Sequence, residues 1–480
     1  MLAPGSDADG ASGHTDGFPP RYIMCMSDYT DTTVPLQERR DPVTMGLLWV
    51  TMVTGFPSVL AGFEWHKAGM SLPQVILLSI ISCGVLLLYS FPACYLGAKS
   101  GFTYALLARK VFGVWGSRLV SANLCWISLS WYGLTAVFLA DGLNDVFHAH
   151  LPKLAFSLVL AVAMAFNNFF GFSGVANFAR YAAGPILILW VLSAFGKAAT
   201  SCPSSVWTEP SHASMFGALT VVSAFVIGYS SWGNEADYWR FGRTAKRNIM
   251  VPLLVALLVG EILFPLTGWM FGRMGGTHAG AAGLMDNFAF GGIPAISALV
   301  LLVTYFAVND STLYGAINAL DNIHAMERRR TAAFVTVMGA IAAAVLCGMT
   351  KNFERVCSIS CIVLPCATVV IMVEQFLLAG KYGDLNAGNW RWSAVLALLA
   401  GCAVGVATAG IIPGTEGWNV GVPALQAWVV SFVAYLCLHK WDRYTVRPQH
   451  TTASGDSDDN AHQEPDAAGS GLHDPAVNRS

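Results

Sequence analysis

Charge is what this chain has least of. Asp, Glu, Lys and Arg make up 12% of its 480 residues, against about 25% in an ordinary soluble domain, while 55% are hydrophobic. That shortage excludes a conventional solvated surface and leaves a polytopic membrane protein. A net charge of −2 offers nucleic acid no basic surface. The 11 cysteines form no CxxC pair and no metal-ligand spacing. Most lie in apolar runs (Cys83, Cys94, Cys125, Cys347, Cys361, Cys366, Cys402, Cys437) and read as small membrane residues, so no metal and no cofactor is implied. The 11 histidines do not cluster, and His66, His148, His150, His212 and His278 fall in expected outer loops. There is no grouping of nucleophile and base that would make an enzyme. Residues 1–41 and 442–480 are polar and turn-rich and lack the order of a signal peptide, so both are expected to be disordered tails.

What the chain does have is long apolar runs. A bilayer span needs roughly 20 mostly apolar residues. Twelve such runs fall at 44–63, 73–96, 117–143, 154–172, 181–199, 214–233, 249–272, 293–321, 331–349, 354–380, 392–412 and 421–439. With the N-terminus inside, all but six of the 27 Lys and Arg residues lie on inner segments, as the positive-inside bias requires. The exceptions are Lys67, Lys153, Lys197, Arg273, Lys351 and Arg355. The expectation is a multi-pass cell-membrane protein, an all-α domain over 42–441 with both termini cytoplasmic.

Two of the runs are interrupted. The first, VTMGLLWVTMVTGFPSVLAGF, carries Gly55 and Pro57 at its middle, where proline removes a helix hydrogen bond. The sixth carries Gly228 and Gly233 around Tyr229 and Trp232 and exits through Arg240, Arg243, Lys246 and Arg247, which read as an interfacial anchor. Interrupted helices at matching places in two five-span halves point to an inverted-repeat transporter whose site lies at the breaks. The halves are then 44–199 and 214–380, with two added helices over 392–439.

Polar and flat residues inside the spans supply the site candidates. Trp131 in the third span either stacks on a planar ring or packs against a neighbouring helix. Asn309 and Asp310 lie near the centre of the eighth, flanked by Thr304 and Thr312, and intramembrane carboxylates default to functional candidates. Asn309 and Asp310 also read as an interhelical hydrogen-bonded pair. Glu261, deep in the seventh span, is either a proton-carrying group or a protonated structural one.

Four stretches then carry a resemblance. YLGAKSGFTYALLARKVFGVWGS (95–117), EADYWRFGRTAK (235–246), VNDSTLYGAINALDNI (308–323) and KNFERVCSISCIVLPCATVVIMVEQFLLAGKY (351–382) resemble the nucleobase:cation symporter-1 family, and its cytosine-permease branch in particular. The resemblance implies a LeuT-type fold of two inverted five-helix repeats plus two helices, and uptake of a planar nitrogen heterocycle with a cation. It assigns ring stacking to Trp131, the opposite face to Tyr229 beside Gly228 or else to Trp232, and the polar edge to Asn309. Two departures stand out. Ser128 occupies a place where cytosine permeases carry glutamine. Ala307 and Val308 occupy places where sodium-coupled members carry hydroxyls. A hard cation wants oxygen ligands, so sodium would fall back on carbonyls near Gly55–Val59 and on Thr304 or Thr312. A proton on Glu261 or Asp310 is the expected coupling ion. The reading is a secondary transporter importing cytosine or a purine-like base by proton symport. A hydantoin, allantoin or thiamine-precursor pyrimidine permease, or a non-transporting ligand sensor, is the alternative.

Overall fold

The computed structural model describes residues 32–275, 293–347, 353–379, 388–418 and 421–445. Among them every regular element is a helix, and the only strand-like pairing is one isolated bridge between Arg40 and Gly242. The helices are α1 (Pro42–Val53), α2 (Phe56–Lys67), α3 (Leu72–Ser100), α4 (Tyr104–Phe147), α5 (Lys153–Met164), α6 (Gly171–Phe178), α7 (Gly184–Ser201) and α8 (Met215–Ser230). They continue with α9 (Glu235–Trp239), α10 (Arg247–Leu257), α11 (Phe264–Gly275), α12 (Pro294–Ile323), α13 (Arg328–Leu346), α14 (Phe353–Met372), α15 (Trp392–Thr408) and α16 (Pro423–Thr445). All but the short α6 and α9 fall on the twelve apolar runs.

Where the helices start and stop follows from local chemistry. Asp41 caps α1 by accepting the N–H groups of Val43 and Thr44, with Pro42 in the first turn, where its missing donor costs nothing. The first run breaks at Thr54 and Gly55, and α1 and α2 meet at 50°. Gly55 is extended, with φ 171°; what demands glycine there is space. A Cβ would lie 3.0 Å from the Tyr229 hydroxyl and 3.1 Å from Thr304 Cγ2. Pro57 sits in the first turn of α2, so it starts the second half-helix.

The sixth run differs from the sequence reading by a few residues. Helix α8 continues through Gly228 to Ser230, and the break covers Ser231 to Asn234. Gly228 is therefore an interior helix residue, and Gly233, at φ 82°, makes the turn. A Cβ on Gly233 would lie 2.9 Å from the carbonyl of Leu364 in α14, so both backbone angle and space require glycine.

Residues 153–201 are helical almost without interruption. Straight, they would reach roughly 70 Å at 1.5 Å per residue, over twice the hydrocarbon thickness. Gly171, at φ 64° and ψ −154°, turns the chain, and α5 packs on α4 and α13 while α7 packs on α11. The third run likewise extends back to Tyr104, with a kink at Gly113.

Two buried clusters organise the packing. The smaller takes its side chains from α4, α5, α12 and α13, the third, fourth, eighth and ninth runs. The larger includes α1, α2, α3, α8, α10 and α11, among them the interrupted runs. Each cluster thus draws on matching runs of both halves.

Most of the two expected tails, residues 1–31 and 446–480, lies outside the described residues, as does His278. Residues 32–41 are seated on the helices: Arg39 donates to the carbonyls of Ala98 and Gly242, and the Arg40 N–H to that of Phe241 at 2.6 Å.

Candidate functional site

A cavity of about 770 Å³, counting the open space at its mouth, lies where the two breaks meet the smaller cluster. Its walls follow helix geometry. From α4 come Leu124, Ser128, Trp131 and Thr135, spaced four, three and four apart, one face of a helix. From α12 come Thr304, Val308 and Thr312, each four residues apart. The breaks supply Pro57, Gly228, Tyr229, Trp232 and Asn234, and α14 adds Ser360 and Leu364.

The aromatic residues converge there. The Trp131 indole N–H donates to Ser360 Oγ at 2.9 Å, which fixes the ring's rotation. Trp131 and Tyr229 are 6.4 Å apart between centroids and 71° between planes. A flat ligand held face to face between them would need near-parallel rings, so the expected sandwich is an edge-to-face pair here. Tyr229 lies parallel to Phe225 instead, at 5.3 Å and 10°. Trp232 stands edge-on to Tyr238, and its buried indole N–H has no partner among the described residues. Both aromatics of the sixth run therefore border the cavity.

Asn309 and Asp310 do not. Asn309 is fully buried; its Oδ1 accepts from the Thr135 hydroxyl at 2.5 Å and its Nδ2 donates to the Tyr132 carbonyl at 3.3 Å. It braces a cavity wall from behind. Asp310 accepts from Asn167 Nδ2 at 2.6 Å, and its backbone carbonyl from Asn168 at 3.0 Å; both asparagines lie in the turn between α5 and α6. The cause is rotation. A helix advances about 100° per residue, so a wall built on 304, 308 and 312 turns 310 away; Tyr305, one turn before Asn309, lines the cavity, and Asn309 is turned into its bonds with Thr135 and Tyr132 behind the wall. The expectation put Asn309 at the substrate edge and Asp310 beside the cavity, and neither is among the residues that line it. Glu261 also lies outside the cavity, buried, with the Ser230 hydroxyl donating to its Oε1. Thr304 and Thr312 do line it, and Thr312 gives its own proton to the Val308 carbonyl at 2.8 Å.

The sequence reading missed the lock beneath the sixth-run break. Glu235 accepts from the Gly233 N–H and the Tyr89 hydroxyl, both at 3.1 Å. Asp237 accepts from the Tyr104 N–H at 2.9 Å and from Asn234 Nδ2 at 3.1 Å. Arg240 donates to the Tyr314 hydroxyl at 2.9 Å and is fully buried, so it is an internal tie rather than the interfacial anchor expected. The signal was available: acidic and basic side chains within six residues, directly after a helix break, have partners at hand when buried.

The chain's relationships agree with this architecture. Residues 33–436 match the family model described as permease for cytosine/purines, uracil, thiamine, allantoin. The cytosine permease of Escherichia coli (strain K12) is 27% identical over 412 residues, covering 81% of this chain and 91% of that protein. The purine-uracil permease NCS1 of Arabidopsis thaliana is 23% identical over 62% of this chain and 54% of its own length. Among solved structures, Mhp1, a nucleobase-cation-symport-1 family transporter in a closed conformation with bromovinylhydantoin bound, matches with a TM-score of 0.67 at 14% identity, over 86% of this chain and 95% of that one. A Na+-coupled sialic acid symporter matches with a TM-score of 0.61 at 12% identity, over 86% and 91%. The two structures share the LeuT-type fold. With a family model running over most of its length, this multi-pass membrane protein belongs to the nucleobase:cation symporter-1 permeases, on their cytosine-permease branch.

Proposed function

We propose that this transporter imports a nucleobase, cytosine or a purine-like ring, by proton symport, with both termini in the cytoplasm. The observation that carries the reading is the cavity at the meeting of the two broken helices. Its walls hold Trp131, Tyr229 and Trp232 among apolar side chains and a set of hydroxyl and amide groups, the composition of a site for a flat, partly polar ligand. Ser128, Asn234 and Thr304 are placed to meet such a ring's hydrogen-bonding edge. Ser128 is short, which leaves room for a ring larger than a pyrimidine. The names of the relatives favour the same substrate class.

The choice of proton over sodium rests on the eighth run. Ala307 and Val308 bring no side-chain oxygen, and Val308 faces the cavity. The test is uptake of labelled cytosine by vesicles containing the full chain, with unlabelled adenine, hypoxanthine, uracil, allantoin and hydantoin as competitors. Accumulation is expected to rise with an inward proton gradient, to collapse with an uncoupler, and to ignore replacement of sodium by potassium or choline. Competition by none of the nucleobases would overturn the substrate class. Steep sodium dependence without a pH response would overturn the coupling.

A further inference from the structure

Five carboxyl side chains are buried among the described residues: Glu235, Asp237, Glu261, Asp310 and Glu374. Four are answered. Glu374 pairs with Arg391 at 3.2 Å and accepts from Tyr435 at 2.7 Å. Asp237 and Glu235 accept the hydrogen bonds of the lock described above, and Asp310 is held by Asn167 and Asn168. Glu261 alone has an oxygen, Oε2, with no partner. Among the described residues no Lys, Arg or His pairs with it.

Its position is as telling as its bonding. Glu261 lies in a π-helical turn, Leu258–Leu263, between α10 and α11, and such turns leave a backbone group out of register and often mark functional sites. Its one hydrogen bond reaches Ser230, the last residue of α8 before the sixth-run break. Gly260 beside it packs against the carbonyl of Val53, the last residue of α1, so closely that a Cβ would lie 2.4 Å away. The carboxyl thus touches the edge of the sixth-run break, and the residue beside it touches the edge of the first. The turn packs on α1, α3 and α7. Of these, α3 carries the buried Cys83, and among the described residues no ion pair reaches Glu261 from α1, α3 or α7. An ionised carboxylate without a cation and with one oxygen unanswered is costly in a desolvated place, and the neutral, protonated carboxyl costs less there.

We propose that Glu261 carries the coupling proton and that Ser230 and the Val53–Gly260 contact transmit its state to the two breaks. The step conserves charge and changes no oxidation state. An O–H bond forms on the carboxylate with a proton from water on one side, and breaks to water on the other. This inference rests on the proton-symport reading.

The experiment uses the full chain in proteoliposomes with labelled cytosine, comparing accumulation under a proton gradient with counterflow at equal pH. Glu261→Gln is expected to keep counterflow and lose gradient-driven accumulation. Ser230→Ala retains the carboxyl but removes its hydrogen bond, and should move the pH midpoint of driven uptake by about half a unit to one unit. Accumulation by Glu261→Gln equal to the parent's, or an unmoved midpoint in Ser230→Ala, overturns the proposal. A parent that exchanges cytosine yet ignores the gradient overturns it while sparing the substrate reading. A parent that exchanges no base overturns the transport reading together with it.

Discussion

Helix α12 carries two polar faces that look alike in sequence and differ in structure. One face, at Thr304, Val308 and Thr312, borders the cavity. The other, at Asn309 and Asp310, is closed by Thr135, Tyr132, Asn167 and Asn168. The more polar face is the structural one. Polar groups in a bilayer core must find partners, and strongly polar ones are affordable chiefly where neighbouring helices answer every atom. A cavity for a flat, partly polar ring instead takes weakly polar residues whose unanswered capacity is small.

The sharpest way to break this contrast is to remove the larger polar group from the closed face. Asp310→Leu leaves the amide of Asn167 without its acceptor, at about 1–3 kcal/mol for a buried donor stranded, while Asn168 keeps its bond to the backbone carbonyl at that position. The expected outcome is a loss of several degrees in thermal midpoint and a lower folded yield in detergent. Affinity of the folded fraction for base should stay close to the parent's. Asn309→Leu should behave the same way on a smaller scale. A variant of normal stability with altered base selectivity would return these two residues to the substrate site.

Much of the fold was legible because lipid constrains it severely. Run lengths, the loop-charge bias and paired interruptions each reflect a bilayer requirement, and the apolar runs and the interruptions recur in the structure as helices and helix breaks. The cavity was legible where sequence chemistry coincides with helix direction, as at Trp131, Ser128, Tyr229 and Trp232. It was not legible where rotation decides. Nothing in the string VNDST says that Val308 faces inward and Asn309 away, because that depends on how α12 lies against α4. The lock at Glu235 and Asp237 was hidden for a related reason. Its partners, Tyr89 and Tyr104, are more than 130 residues earlier in the chain.

On the cavity side the expected cost falls on binding. Stacking on an aromatic ring is worth about 1–3 kcal/mol per base, so Trp131→Ala should weaken binding of the transported base roughly ten- to a hundredfold. Its thermal midpoint should fall less than that of Asp310→Leu, since Trp131 is only partly buried. Equilibrium binding to purified protein, beside thermal unfolding, reads both quantities. Tighter or unchanged binding would move the stacking role to Trp232, whose indole N–H has no partner among the described residues.

The smallest effect is expected at a polar group on neither face. Asp41 caps α1, accepts from the Thr44 hydroxyl at 2.8 Å, and pairs with Arg180 in the turn between α6 and α7. Burial acts to raise its carboxyl, but the Thr44 donors and the Arg180 guanidinium outweigh it and hold the group at about 2, below its ordinary 3.8. A lowered value in the folded protein means the carboxylate stabilises the fold above its ordinary value and ceases to do so as pH falls through the lowered one. The stabilisation is therefore whole above about pH 4 and gone near pH 2. About a third of each side chain is exposed, and exposed ion pairs contribute only about 0–1 kcal/mol. Asparagine caps a helix about as well as aspartate does, so Asp41→Asn isolates the charge. At pH 7 the variant should melt slightly below the parent, and the two thermal midpoints should converge between pH 4 and pH 2. Parallel curves through that window would remove the charge from the account. A loss at pH 7 as large as that of Asp310→Leu would mean that exposure to water does not set the scale for polar groups here, and that the contrast between the two faces of α12 has another cause.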